Sequence, residues 1–221
     1  MKPVIALNFK VYKESLGERA LALCEIATEV AMVSGVRIIV APQAVDLREA
    51  VRVGSDVFAQ HCDSAVQGAF TGSITAESLK HAGAKGSLLN HSEHRMPAAE
   101  IAKAVERLRA AGLESMVCAH DAHETAELAK LKPTFVAVEP PELIGKGVSV
   151  SSAKPEVVTG AVALVKKSAP SVPVLCGAGV SNASDVKTAM HLGVKGVLLA
   201  SAFVMAQDPK KLLEDMAAAM E

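Results

Sequence analysis

The stretch Thr134–Gly147, TFVAVEPPELIGKG, sets a carboxylate at the end of a short apolar run. Thr134–Val138 has the length and the Val content of a strand buried on both faces. Glu139 closes the run, and Pro140-Pro141 then restricts the backbone as it leaves. Gly145 and Gly147 follow, able to take up the dihedral changes that a moving loop requires. In isolation the same residues also read as an acid in a turn. Whether other strands end in the same way decides between the two.

Seven further runs resemble the first: Val4–Leu7, Arg37–Val40, Val57–Gln60, Gly86–Leu89, Ser115–Cys118, Val172–Leu175 and Gly196–Leu199. Each is brief, apolar and without polar alternation, as in a parallel sheet covered on both sides. Helical patterns lie between them. Leu16, Ala20, Leu23, Ala27 and Val30 share one face, and Ser15-x-x-Glu18 reads as a capping box at its start. Ile101, Val105 and Leu108 stripe a second helix that Gly112 ends. Val158, Ala161, Val162 and Val165 mark a third. Asp208-Pro209 starts a last helix carrying Leu212, Leu213 and Met216.

Strand–helix units recurring without a linker predict one (β/α)8 barrel over residues 1–221. Such barrels typically run to about 250 residues, so several helices must be trimmed. A doubly wound open sheet is the alternative. The barrel is preferred because chemistry-bearing residues recur at the carboxyl ends of many strands, the rim where barrel enzymes work.

Composition narrows the function. The net charge is -1 and aromatic residues make up 3%, with no Trp. Nucleic acid calls for clustered cations and stacking rings, so it is not an expected partner. Cys24, Cys62, Cys118 and Cys176 are widely separated, with no metal-knuckle or disulfide-framework spacing. Free thiols in a reducing cytoplasm are expected. No apolar run has the length of a membrane span, and Val4–Leu7 is too short for a signal peptide.

Candidate chemistry sits at five strand ends. Asn8-Phe9-Lys10 offers a fixed cation that can hold an anion and offset developing negative charge. Asn90-His91-Ser92-Glu93-His94-Arg95 places His91 at the start of an expected helical turn, where backbone N–H groups disfavour a cation and keep the imidazole neutral. Glu93 reads as a buried ion-pair partner, with Lys10 as its candidate cation, and His94 is left unassigned. Glu139 is the candidate base. Cys176–Ser181, with Gly177 and Gly179, and Ala200-Ser201 both enter helices after the last two strands. A lone Gly-x-Gly is weak evidence, but this pair of turns occupies the place where barrels commonly hold phosphate.

Taken in order, NFK (8–10), GAFTG (68–72), NHSEHR (90–95), VEPPELIGKG (138–147), CGAGVS (176–181) and LLAS (198–201) resemble the triosephosphate isomerase family, particularly its short archaeal-type members. The resemblance implies a (β/α)8 barrel that interconverts dihydroxyacetone phosphate and glyceraldehyde 3-phosphate in glycolysis and gluconeogenesis, without metal or organic cofactor. It implies His91 as electrophile, Glu139 as base and Lys10 as the substrate-binding lysine. Asn8, Phe9, Ile144, Gly145, Gly179, Ala200 and Ser201 would complete the substrate site, and residues 140–147 would form a mobile lid. This family is itself the standard example of the neutral histidine and of the closing lid. It further implies a homo-oligomer, dimer or tetramer, in which Gly68, Phe70 and Thr71 enter a neighbouring subunit. An exposed Phe70 on a monomer would be costly, which favours the same conclusion.

The chain departs from the longer members in three places. They carry a Trp in the lid, Tyr-Gly-Gly-Ser after strand seven and Gly-Gly after strand eight. Here the corresponding residues are Glu142 or its neighbours, Cys-Gly-Ala-Gly and Leu199-Ala200. Two rival functions fit the same fold: a Schiff-base aldolase using Lys10 as nucleophile, and a non-catalytic sugar-phosphate-binding barrel. A base at strand six with a histidine at strand four fits proton transfer better than either.

Overall fold

The computed structural model describes residues 2–140 and 149–220. Eight strands form a closed parallel barrel in chain order: β1 Val4–Asn8, β2 Arg37–Ala41, β3 Asp56–Ala59, β4 Gly86–Leu89, β5 Glu114–Ala119, β6 Phe135–Val138, β7 Val174–Cys176 and β8 Gly196–Leu199. Closure is made by β8 against β1, with Val4 opposite Gly196 and Leu7 opposite Leu199. The open-sheet alternative is thereby excluded. β7 starts later than its apolar run suggests, because Pro173 has no N–H to give the ladder.

The helices are α1 Glu18–Ser34, α2 Leu47–Arg52, α3 Ala76–Ala82, α4 Ala98–Ala110, α5 Ala122–Ala129, α6 Val150–Ala153, α7 Pro155–Ser168, α8 Ala183–His191, α9 Ser201–Val204 and α10 Pro209–Ala218. The expected trimming is visible in α2 and α3, with 6 and 7 residues. No helix among the described residues is long and apolar enough to cross a membrane.

Strand alternation sorts the core into two shells. Val4, Ala6, Ile39, Phe58, Leu88, Met116, Phe135, Leu175 and Leu198 fill the barrel interior. Ile5, Leu7, Ile38, Val40, Val57, Leu89, Val117, Val136, Val174 and Leu199 face the helices. Both faces are apolar, and the runs therefore showed no polar period. Phe58 is accommodated because β4 starts with Gly86, where a Cβ would come within 2.7 Å of its ring.

Below Phe58 and Phe135, Arg37 plugs the amino-terminal end of the barrel. Its guanidinium donates to Asp56 at 2.8 Å and to both Glu114 oxygens at 2.8 and 2.9 Å. It also lies 5.9 and 5.8 Å from the two ring centroids. A planar five-donor fork suits this bridging position better than an ammonium would.

The start of α1 corrects one expectation. Ser15 does not cap the helix. It is fully buried, and its hydroxyl donates to the Phe9 carbonyl at 2.8 Å. Gly17 is the N-cap, at φ 61°, and its N–H donates to Asp46 at 2.9 Å. Leu16 accordingly lies outside the helix and is half exposed, whereas Ala20, Leu23, Ala27 and Val30 are buried as expected. At the other end of the chain Asp208 does cap α10, accepting from Lys211 N–H at 2.9 Å.

Candidate active site

Residues from the ends of β1, β4, β6, β7 and β8 line one cavity of about 350 Å³ at the carboxyl rim. Asn8, Lys10, His91, Glu139, Gly179, Ala200 and Ser201 all border it, joined by Tyr12, Ala178, Val180, Ser181 and Met205. Ile144 and Gly145 lie outside the described residues. Phe9 does not line the cavity. Its ring is fully buried and packs against Phe203, with centroids 6.3 Å apart.

Lys10 is held in a left-handed backbone conformation, φ 46°, with its N–H donating to Asn8 Oδ1 at 2.9 Å. Such a conformation persists in a non-glycine residue only where the surroundings enforce it. Gln60 supplies part of that enforcement: its amide donates to the Lys10 carbonyl at 2.8 Å and to the Ala41 carbonyl at 3.0 Å. The Lys10 ammonium meets Glu93 at 2.8 Å. The pair forms as read, but it is not buried, since the Glu93 side chain is 58% exposed. A pair that wet contributes little to stability and leaves the ammonium free to exchange partners.

The loop after β4 is a single turn, closed by His94 N–H to the His91 carbonyl at 2.8 Å, and α4 begins only at Ala98. His91 is buried. Glu93 N–H donates to its Nδ1 at 3.1 Å. An Nδ1 that accepts leaves the proton of a neutral imidazole on Nε2, which faces Glu139 Oε1 at 3.9 Å. The expected local N–H groups are present, supplied by a turn instead of a helix. Asn90, at φ 59°, fixes this turn from below: its amide donates to the Cys118 carbonyl at 2.9 Å and accepts from Met96 N–H at 3.0 Å. His94 stacks on His61, with ring centroids 4.0 Å apart.

Glu139 is 5% exposed, and its N–H donates to the Ala119 carbonyl at 2.7 Å. Its Oε2 is buried and has no hydrogen-bond partner of ordinary geometry among the described residues. Leaving a buried carboxylate oxygen unmatched costs stability and keeps it available for chemistry. Gly177 makes room for it: a Cβ there would fall 2.3 Å from Glu139 Cγ. On its other side Glu139 borders a smaller cavity of about 220 Å³ shared with Ser92, Arg95, Cys118 and His120. Burial and the Glu139 carboxylate hold the Cys118 thiol well above its ordinary pKa. Burial likewise pushes Cys24, Cys62 and Cys176 up to about 12. All four cysteines are free, and burial holds their thiols in the protonated form at neutral pH.

Beyond Gly177, Ala178 and Gly179 are both left-handed, at φ 67° and 73°. The N–H groups of Gly179, Val180, Ser201 and Ala202 have no partner among the described residues. Backbone N–H groups converging from two turns favour an anion.

The sequence did not single out Gln60, Asn90 or the contact between Gly177 and Glu139. The first two are side-chain bonds to backbone groups on other strands and leave no periodic trace.

A buried carboxylate, an imidazole and an ammonium around a rim of open backbone N–H groups define a class: a (β/α)8 barrel carrying the groups that can move a proton on a small anionic substrate. The chain belongs to the triosephosphate isomerase family and is an isomerase, since that family's model matches residues 3–218. It is 53% identical over 216 residues to the triosephosphate isomerase of Methanothermus fervidus, covering 97% of each chain. It is 51% identical over 215 residues to that of Methanothermobacter thermautotrophicus, covering 97% of this chain and 94% of the relative. With the Methanocaldococcus jannaschii enzyme it shares 47% over 214 residues, covering 96% and 98%.

Proposed function

We propose that the cavity carries out aldose–ketose isomerisation of triose phosphate, with the whole of residues 1–221 serving as one catalytic barrel. Glu139 takes a proton from the carbon beside the carbonyl and returns it to the neighbouring carbon. His91 Nε2–H donates to the substrate oxygens, and Lys10 offsets the negative charge that develops on the enediolate. Asn8 orients Lys10, while Gly179, Ala200 and Ser201 hold the phosphate. The observation that carries this reading is the meeting of a buried, under-bonded Glu139 with His91 Nε2 at 3.9 Å in the cavity that Lys10 also lines.

Glu139→Asp tests it in a coupled isomerase assay. Retracting the carboxylate by about one methylene, a misplacement on the order of 1 Å, should lower kcat roughly 100-fold or more while a phosphate-bearing inhibitor still binds. Near-normal turnover would remove Glu139 as the base. Borohydride with substrate should leave no adduct on Lys10, whereas a trapped adduct would favour the aldolase reading.

We also read the protein as a cytoplasmic homo-oligomer. Phe70 is 51% exposed, within the run of exposed residues 66–72. A groove of about 1150 Å³ runs beside the active site, lined by Val11 and Val45 together with Lys10, His91 and Glu93. The apolar rim of that groove, with Val11 80% and Val45 78% exposed, suits the Phe70–Thr71 segment of a second copy.

A further inference from the structure

The turn after β7 is under strain that its own residues do not relieve. Ala178 carries a Cβ in a left-handed conformation, beside a second left-handed residue. Its amino-terminal side is pinned by Gly177 N–H to the Val138 carbonyl at 3.0 Å. The other side is pinned by one carboxylate, Asp185, in the first turn of α8. A single oxygen of Asp185 accepts from Ser181 N–H and Ser181 Oγ, both at 2.9 Å, and from Asn182 Nδ2 at 3.1 Å. Asn182 Oδ1 answers by accepting Asp185 N–H at 3.0 Å. Ser181 borders the active-site cavity, yet its N–H and its hydroxyl proton are both directed away to Asp185. It serves as frame and not as ligand.

The same residue reaches a second segment. Ser151 Oγ donates to the Asp185 carbonyl at 3.3 Å. Ser151 in turn meets Ser149 Oγ at 2.8 Å, and both serines are buried. These are among the first described residues after 141–148.

We propose that Asp185 is a positioning residue for phosphate recognition: it holds Ala178–Ser181 in the strained form that presents backbone N–H groups to the phosphate, and it ties that turn to the buried pair Ser149 and Ser151. The inference rests on reading the β7 and β8 turns as the phosphate cradle. Three hydrogen bonds converging on one carboxylate oxygen, all from Ser181 and Asn182, supply the constraint.

The test separates grip on phosphate from chemistry. Asp185→Ala should raise KM for triose phosphate on the order of tenfold to a hundredfold, with kcat lowered less. Its kcat/KM for unphosphorylated glyceraldehyde should stay near wild type, because the base and imidazole are untouched. Asp185→Asn, which keeps an acceptor, should recover most of the loss. Ser201→Asp is the control for the cradle itself, since a carboxylate placed there repels phosphate. If Ser201→Asp raises KM and Asp185→Ala does not, the inference is overturned. If Ser201→Asp leaves KM unchanged, the cradle reading fails, and this inference falls with it. Equal losses on both substrates in Asp185→Ala would make Asp185 merely structural. Should that variant not fold, Ser181→Ala removes one of the three bonds, and it must shift KM for the phosphorylated substrate alone.

Discussion

The two ends of the barrel treat charge and strain in opposite ways. At the amino-terminal end Arg37 donates three hydrogen bonds to Asp56 and Glu114 between two aromatic rings. At the carboxyl rim Glu139 keeps an unmatched buried oxygen. Of the non-glycine residues with positive φ, Lys10, Asn90 and Ala178 sit at that rim, and Lys132, in the loop before β6, does not. Each costs roughly 1–3 kcal/mol that the fold must offset elsewhere. One end of this barrel is arranged for stability and the other is held taut for chemistry.

A pair of substitutions would break that comparison most directly. Glu139→Gln should remove activity by several orders of magnitude while leaving thermal stability unchanged or slightly raised, because a poorly matched buried charge is lost. Arg37→Ala should do the reverse. Stripping one partner from a deeply buried ion pair costs about 3–5 kcal/mol, and the partial exposure of this one puts it at the lower end. Its kcat/KM at moderate temperature should change little. Measuring melting temperature and kinetics on both variants decides it: if Arg37→Ala kills activity in a folded protein, the two ends are not independent.

The second test concerns the rim's outward edge. Replacing Phe70 and Thr71 with polar residues should shift the protein to smaller species in light scattering and lower activity in the same samples, because the proposed groove is lined by Lys10 and His91. Unchanged mass would mean that the loop is not the interface.

Much of this division was legible in the sequence. Runs buried on both faces announced the strands, and functional types recurring at their ends marked the rim. What stayed hidden is tertiary. Gln60 steadies Lys10 across 50 residues and Asn90 bonds Cys118 across 28, and no local pattern records such pairs. The placement of the Phe9 ring stayed hidden for a different reason. Side chains alternate along a strand, and Phe9 continues the helix-facing set of Ile5 and Leu7, whereas its motif neighbours Asn8 and Lys10 turn toward the cavity. Ser15 looked like a cap by spacing alone, but a buried hydroxyl takes the nearest open carbonyl, here that of Phe9.

The rim also carries a pH-sensitive anchor, whose contribution is smaller. The base of the loop carrying Phe70 is closed by Asp63 N–H to the Ile74 carbonyl at 2.8 Å and Ile74 N–H to Asp63 Oδ2 at 2.7 Å. His61 Nε2 lies 3.2 Å from Asp63 Oδ1, with the His94 ring stacked upon it. Burial holds the His61 pKa below its ordinary value, with the nearby His94 acting the same way and Asp63 opposing both. For Asp63, burial works upward but is outweighed by the Ile74 N–H and His61, so its pKa is also lowered. Both folded values are depressed, so both contributions are present at neutral pH and both are lost on acidification. The His61 contribution starts to fade below about pH 6.5, and that of Asp63 only below about pH 4. Hydrogen exchange at the Ile74 N–H, corrected for the intrinsic pH dependence, should therefore quicken a few-fold between pH 7.5 and 5.5. In His61→Asn that change should flatten, while the amino-terminal strands around Arg37 should show no corresponding step in either protein. A step of equal size at both ends would mean that acid loosens the barrel as a whole, and the rim would then have no acid-labile anchor of its own.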